Sequence, residues 1–241
     1  AGGRGDGAHA AGEGFAAAYM YNIVTRIEGD FMTYRQLWVI VPMVLLLYLS
    51  GCSVLQGDGD DFFYDPSQSI PTVDGFDFPV GDRDGQGWGI TGYGFLDWSS
   101  SSNSWHPGED WNIPGAGNGD QGEPVYAIAH GKVIFSGWNS ALGNVILLQH
   151  KTLDGNFIWS QYAHLDRLDV SKGELVQRRQ QIGTVGRGPN NRYSAHLHFE
   201  IRKHNLTANA WPRTNGVPWD KGKVLKYWLN PSEFIKQNRP Q

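Results

Sequence analysis

Ala195-His196-Leu197-His198-Phe199-Glu200-Ile201 is the stretch that decides the fold. Polar and apolar residues alternate along it, and in an extended strand alternate side chains share a face. His196 and His198 therefore project to one side, while Leu197 and Phe199 project to the other and form the apolar surface that a core requires. Two imidazoles on one strand face, with a hydrophobic anchor behind them, make a rigid platform for a metal or a proton-transfer site. Taken alone, they read equally well as two ordinary surface histidines.

Outward from this stretch, the pattern repeats. Short β-branched and aromatic runs occupy Val125–Ala129, Lys132–Ser136, Asn144–Gln149 and Phe157–Tyr162, with His196–Arg202 as a fifth. Between them lie turn marks such as Thr91-Gly92-Tyr93-Gly94 and Gly117-Asn118-Gly119-Asp120. Runs at roughly ten-residue spacing indicate a mainly β protein built from antiparallel sheets with few short helices. Gly131 and Gly143 are read as turn or bulge positions that use positive φ. Pro231–Lys236 is the one segment read as a short helical turn.

Composition narrows the function. The 241 residues are 40% hydrophobic and 18% charged, with a mean hydropathy of −0.42, too polar for a polytopic membrane protein. Ten Trp, ten Tyr and eleven Phe carry too much apolar mass for a disordered chain. A single cysteine excludes an internal disulfide framework and a multi-cysteine metal cluster. The net charge of −4 gives no support to a nucleic-acid partner. Eleven acids face one base, Arg83, between Asp58 and Asp110, whereas sixteen bases face nine acids from Trp111 to Gln241. An acidic linker is thus expected before a mildly basic folded domain.

The N-terminal part reads as an address. Leu37–Leu49 is an uncharged run of thirteen residues, about 20 Å as a helix and short of the ~30 Å hydrocarbon core. Arg35 precedes it, and Ser50, Gly51 and Cys52 follow, in the order of a secretory signal. Leu49-Ser50-Gly51-Cys52 resembles the bacterial lipobox, a resemblance that implies cleavage before Cys52 and a lipid on that cysteine. Serine rather than aspartate at 53 favours an outer-membrane destination where the host has one. The expected organisation is a non-native or mis-annotated extension over 1–31, a lipoprotein signal peptide over 32–51 and an acidic flexible tether over 52–77. The main domain follows over 78–236, with a tail over 237–241.

Two further segments join the histidine strand. In His106-Pro107-Gly108-Glu109-Asp110, proline and glycine oppose a regular helix, so a loop must turn His106 back towards Asp110. One imidazole and one carboxylate are good zinc ligands, and a third from His198 leaves a fourth position open, the mark of a catalytic rather than a structural site. In Gln161-Tyr162-Ala163-His164-Leu165-Asp166, Tyr162 and His164 are expected on one strand face, with His164 near the strand end. His130, His150 and His204 read as ordinary histidines, and Glu200 as a supporting residue rather than a base. Trp105, Trp111, Trp138 and Trp159 are available either to line a groove or to pack turns and core.

HxxxD, then YxHL, then HLHFEI, in that order, resembles the lysostaphin-type zinc metallopeptidases, the LytM-like family of peptidoglycan endopeptidases. Gly122-Glu123-Pro124-Val125-Tyr126-Ala127, Gly143-Asn144-Val145 and Gln181-Ile182-Gly183-Thr184-Val185-Gly186 match further landmarks, so the resemblance covers about Phe78 to Phe234. It implies antiparallel sheets around an open groove and one zinc ion per domain, held by His106, Asp110 and His198. It implies catalytic roles for His164 and His196, without assigning which acts as base. The function implied is zinc-dependent hydrolysis of peptide stems or cross-bridges of peptidoglycan, by a protein anchored in the bacterial cell envelope through a lipid on Cys52. The alternative is a non-catalytic peptidoglycan-binding activator of a cell-wall amidase; relatives of that kind have typically lost zinc ligands, and none is missing here. Where many relatives carry arginine after the Tyr-Gly-Phe turn, this chain has Leu96-Asp97. The serine-rich Trp98–Ser104 segment is expected to be a flexible lip, and residues 202–219 a further wall loop.

Overall fold

Leu197, Phe199 and Ile201 are fully buried on one side of their strand, and His198, Glu200 and Arg202 are buried on the other. That strand lies inside the main sheet of a computed structural model describing residues 69–241. The apolar run, Cys52 and most of the acidic tether lie outside the described residues.

The strands in chain order are β1 (Gly89–Ile90), β2 (Trp98–Ser99), β3 (Ser104–Trp105), β4 (Glu109–Asn112), β5 (Pro124–Tyr126), β6 (Gly131–Asn139) and β7 (Gly143–Lys151). They continue with β8 (Phe157–Leu165), β9 (Leu175–Val176), β10 (Gln181–Thr184), β11 (Leu197–Arg202), β12 (Arg213–Thr214), β13 (Val217–Pro218) and β14 (Trp228–Leu229). One eight-stranded sheet runs in the order β1-β4-β11-β8-β7-β6-β9, with β14 pairing the far half of β11. Its pairings are antiparallel. The protein is mainly β, as the alternating runs implied, and its strands match four of the five sequence runs closely; over Val125–Ala129 the strand stops at Tyr126.

The core lies on the Leu197–Phe199 face, where Ile146, Leu148, Tyr162, Phe199 and Ile201 meet Val125 and Ile182 of the β5–β10 pair. Burying each such side chain contributes roughly 1.5–3 kcal/mol. Val73 and Phe76 belong to the same cluster. The fold therefore begins earlier than residue 78, inside the stretch read as tether, because two apolar residues among acids are enough to seat a short segment. The C-terminal tail is equally built in: Arg239 donates to the carbonyls of Phe76 and Arg83 and pairs with Asp84.

Among the described residues two α-helices flank β14. α1 (Lys221–Tyr227) is capped by the Asp220 side chain, and α2 (Pro231–Gln237) by that of Asn230, with proline in its first turn. The cap and proline made α2 legible. α1 buries only Val224 and so lacks the apolar period that reveals a helix. The lip expected to be flexible is a hairpin, β2–β3. Ser104 Oγ donates to the Pro212 carbonyl at 2.8 Å, and Arg213 to that of Ser102 at 3.1 Å, so the lip and the 203–219 segment form one wall. Gly143 has φ 76 as expected. Gly131 does not; it is glycine because a Cβ there would lie 2.7 Å from the Gln149 carbonyl oxygen.

Candidate metal centre and active site

The pairing of β4 with β11 sets Asp110 directly opposite His198. His106 precedes β4 and folds back, so that its Nε2 lies 2.9 Å from His198 Nδ1 and 3.2 Å from Asp110 Oδ1. The third side, His198 Nδ1 to Asp110 Oδ1, is 3.0 Å. All three side chains are buried.

Each donor atom is selected by what holds the rest of its side chain. His106 Nδ1–H donates to the Gly94 carbonyl at 3.2 Å, leaving the Nε2 lone pair inward. His198 Nε2–H donates to Glu200 Oε1 at 2.9 Å, leaving Nδ1 inward. The Tyr93 N–H donates to Asp110 Oδ2 at 3.3 Å, which frees Oδ1. Glu200 is itself fixed by Gln161, Arg202 and the Trp228 indole, with Glu200 and Arg202 on the same face of β11 as His198. Three inward donors form a nearly equilateral triangle, close to one face of a tetrahedron whose vertices lie ~2.0–2.2 Å from zinc. Imidazoles whose second nitrogen is engaged by an oxygen are characteristic of metal ligands. The residues present fit a zinc ion.

Without a cation the same buried groups are held together by shared protons, which a metal must displace. Burial alone would raise the Asp110 carboxyl, but the adjoining imidazoles of His106 and His198, when they carry the shared protons, hold it well below the usual carboxylate range. Burial would lower His198; Asp110 and Glu200, one on each ring nitrogen, raise it to about 9, so a metal ion binding at Nδ1 displaces a proton from it. Glu200 is lowered to about 2, burial being outweighed by Arg202 and His198.

His164 and His196 complete the cluster. Their ring centroids are 4.7 Å apart, and His164 lies 5.6 Å from His198. His196 Nε2 faces Asp110 Oδ1 at 3.7 Å, its Nδ1–H donating to the Ser194 carbonyl at 2.8 Å. His164 Nδ1–H donates to the Leu142 carbonyl at 2.8 Å, leaving Nε2 as a lone pair. Burial, with the neighbouring His196 and His198, pushes His164 well below its ordinary value, so it is neutral.

The expectation that Tyr162 and His164 share a face is corrected. Tyr162 packs on Phe199 in the core, whereas His164 meets His198 on the other side. Opposite Asn144 and Ile146 of β7 stand Leu165 and Tyr162 of β8, three steps against two. This bulge, with His164 at φ 65, re-aims the histidine towards the site.

Sequence reading thus named the five polar residues that the fold brings together, but missed their frame. Trp211 packs on His106 and His198 with centroids 5.9 and 5.6 Å away, and Tyr193 packs on His164 at 4.6 Å. Both lie in irregular segments, where no periodicity signals a role. Of the four tryptophans considered for the groove, Trp111 is in the core and Trp138 is exposed. His150 is buried in a hydrogen-bonded chain rather than exposed. A cleft of about 590 Å³ opens on Asp110 and His196, also lined by Tyr93, Arg192 and Tyr193.

Among known proteins, the chain is 35% identical over 94 residues to the lipoprotein NlpD of Yersinia enterocolitica, covering 38% of this chain and 89% of that protein. It is 36% identical over 110 residues to the peptidoglycan DD-endopeptidase ShyB of Vibrio cholerae, covering 44% of this chain and 22% of that protein. The chain spans about a quarter of the length of ShyB and of two further Vibrio cholerae DD-endopeptidases, ShyA and ShyC. The catalytic domain of lysostaphin from Staphylococcus simulans is 26% identical, with 60% of this chain and 90% of that chain covered and a TM-score of 0.44. The matching family model, Peptidase family M23, covers residues 106–210, from the first residue of the donor triangle to just short of Trp211. With the match to most of NlpD beside it, this places the chain in Peptidase family M23.

Proposed function

We propose that the protein is a zinc-dependent endopeptidase that hydrolyses peptide stems or cross-bridges of bacterial peptidoglycan, anchored in the cell envelope by a lipid on Cys52. The observation that carries this reading is the donor triangle of His106, Asp110 and His198, with two further histidines beside it at the mouth of a cleft. Two neutral imidazoles and one carboxylate leave a divalent ion with net charge +1. Zinc held there supplies Lewis acidity, which makes water a nucleophile at neutral pH and polarises a carbonyl.

The chain's own groups do the rest. His164, kept neutral by burial, and His196 both turn Nε2 towards the triangle. One of the two accepts the proton of the attacking water and returns it to the leaving amine, while the other hydrogen-bonds the charge that develops on the carbonyl oxygen. Glu200 holds His198 in the ligating tautomer. Upstream, 32–51 acts as the signal peptide and Cys52 as the lipidated residue, a reading supported by the lipobox-like Leu49-Ser50-Gly51-Cys52 and by the likeness to a protein named a lipoprotein.

The test is direct. The purified, zinc-loaded protein releases soluble muropeptides from cell walls; a chelator and His198→Ala each abolish this, and added zinc restores only the wild type. His164→Ala and His196→Ala keep their zinc but lose about 10²–10⁴-fold in turnover. Activity untouched by the chelator and by His198→Ala refutes the reading. Stimulation of an added amidase without hydrolysis by the zinc-loaded protein favours the amidase activator instead. Labelled palmitate incorporated by the wild type but not by Cys52→Ser tests the anchor.

A further inference from the structure

We infer that Arg192 is a specificity-determining residue that binds a free carboxylate of the peptide substrate. The inference rests on the peptide-cleaving reading above and adds a chemical property of the substrate. Apart from His196, the cleft beside the donor triangle has two charged lining residues, Asp110 and Arg192. Asp110 is already committed: Oδ1 faces the imidazoles of His106 and His198, and Oδ2 accepts from the Tyr93 N–H. The Arg192 side chain forms no ion pair or hydrogen bond among the described residues. The cleft therefore offers one unengaged charge to a ligand, and that charge is positive.

The backbone that carries it is pinned. A 3₁₀ turn over Pro189–Asn191, with Asn190 and Asn191 at φ 53 and 56, ends at Arg192, whose N–H donates to the Pro189 carbonyl at 3.1 Å. Arg187 Nε donates to the Tyr193 carbonyl at 3.1 Å, and the Tyr193 ring rests on His164. The exposed Arg192 side chain thus springs from a fixed backbone position in the same cleft lining as His196. Its planar fork of donors matches a carboxylate in two parallel hydrogen bonds. A peptide bearing an acid group within reach of the scissile bond is held there, and one bearing an amide at that position forfeits the charge-assisted bond.

Three fluorescein-labelled stem peptides containing a diamino-dicarboxylic residue test this. One has all acids free, one has the side-chain carboxylate amidated, and one has the C-terminal carboxylate amidated. Binding to the zinc-loaded full chain is read by fluorescence anisotropy. Wild type binds the free acid about tenfold more tightly than one of the amides, and the amide that weakens binding identifies the carboxylate as side-chain or terminal. Arg192→Gln erases this preference, and Arg192→Lys, which keeps the charge, retains part of it. Equal binding of all three peptides by wild type, no binding of any, or a preference that survives in Arg192→Gln overturns the inference. A protein that discriminates the peptides through Arg192 but releases no soluble muropeptides from cell walls when zinc-loaded supports this inference and refutes the peptidase reading.

Discussion

Asp110 shows how little freedom a ligating side chain has here. One oxygen is held by a backbone N–H and the other points between two imidazoles. Gly92 makes this possible, because a Cβ there would lie 2.8 Å from Asp110 Cβ and 3.1 Å from its Oδ2. Gly92→Ala is therefore expected to displace the carboxylate and weaken zinc binding by about tenfold or more, measured by competition with a chromophoric chelator. Gly92 is exposed, so its melting temperature should change little. At this scale much was legible in the sequence. Strand periodicity set His196 and His198 on one face, while His106, Asp110 and the division of roles were legible through the ordered motifs that resemble the LytM-like family. The Gly94, Leu142 and Ser194 carbonyls that choose each tautomer are main-chain atoms, and any residue supplies one. Their role appears only once the chain is folded.

Single elements carry the departures from regularity. The bulge in β8 turns His164 away from Tyr162, and a period-two pattern has no symbol for an extra residue. The β2–β3 hairpin was read as mobile because four consecutive serines carry no apolar signal. Its order comes from a partner about a hundred residues away: Ser104, fully buried, reaches the Pro212 carbonyl. Ser104→Ala is expected to cost about 1 kcal/mol, seen as a fall of a few degrees in the calorimetric melting temperature. It should also open the 203–219 segment to limited proteolysis. Unchanged melting and cleavage would show that the hairpin and that segment stand independently. Elements built on long apolar runs, β6, β7 and β8, were legible as strands for the opposite reason: their own residues call for a sheet, although in β8 the bulge resets the face of His164.

For the molecule as a whole, acid is the expected weakness, through His150. It lies at full burial where β7 passes the 127–130 turn, its Nδ1–H donating to the His130 carbonyl at 2.8 Å and its Nε2 accepting from Ser160 at 2.7 Å. Burial lowers it from 6.5 to about 4, so between those values the unfolded chain binds the proton that the folded one refuses. Its stabilisation is complete above about pH 6.5 and is lost as pH falls towards 4, roughly 3 kcal/mol in all. Urea unfolding of wild type and His150→Gln should show a stability gap that narrows by about that amount across the window; a constant gap would mean that this ring does not titrate there. The facing positions of Asp110 and His198 have another consequence. Slip the two strands by one residue, and Leu197 stands where His198 should be, with its imidazole pushed into oil. Only the correctly aligned ladder has rungs that can grasp a cation, so capture of that ion would also proofread the fold.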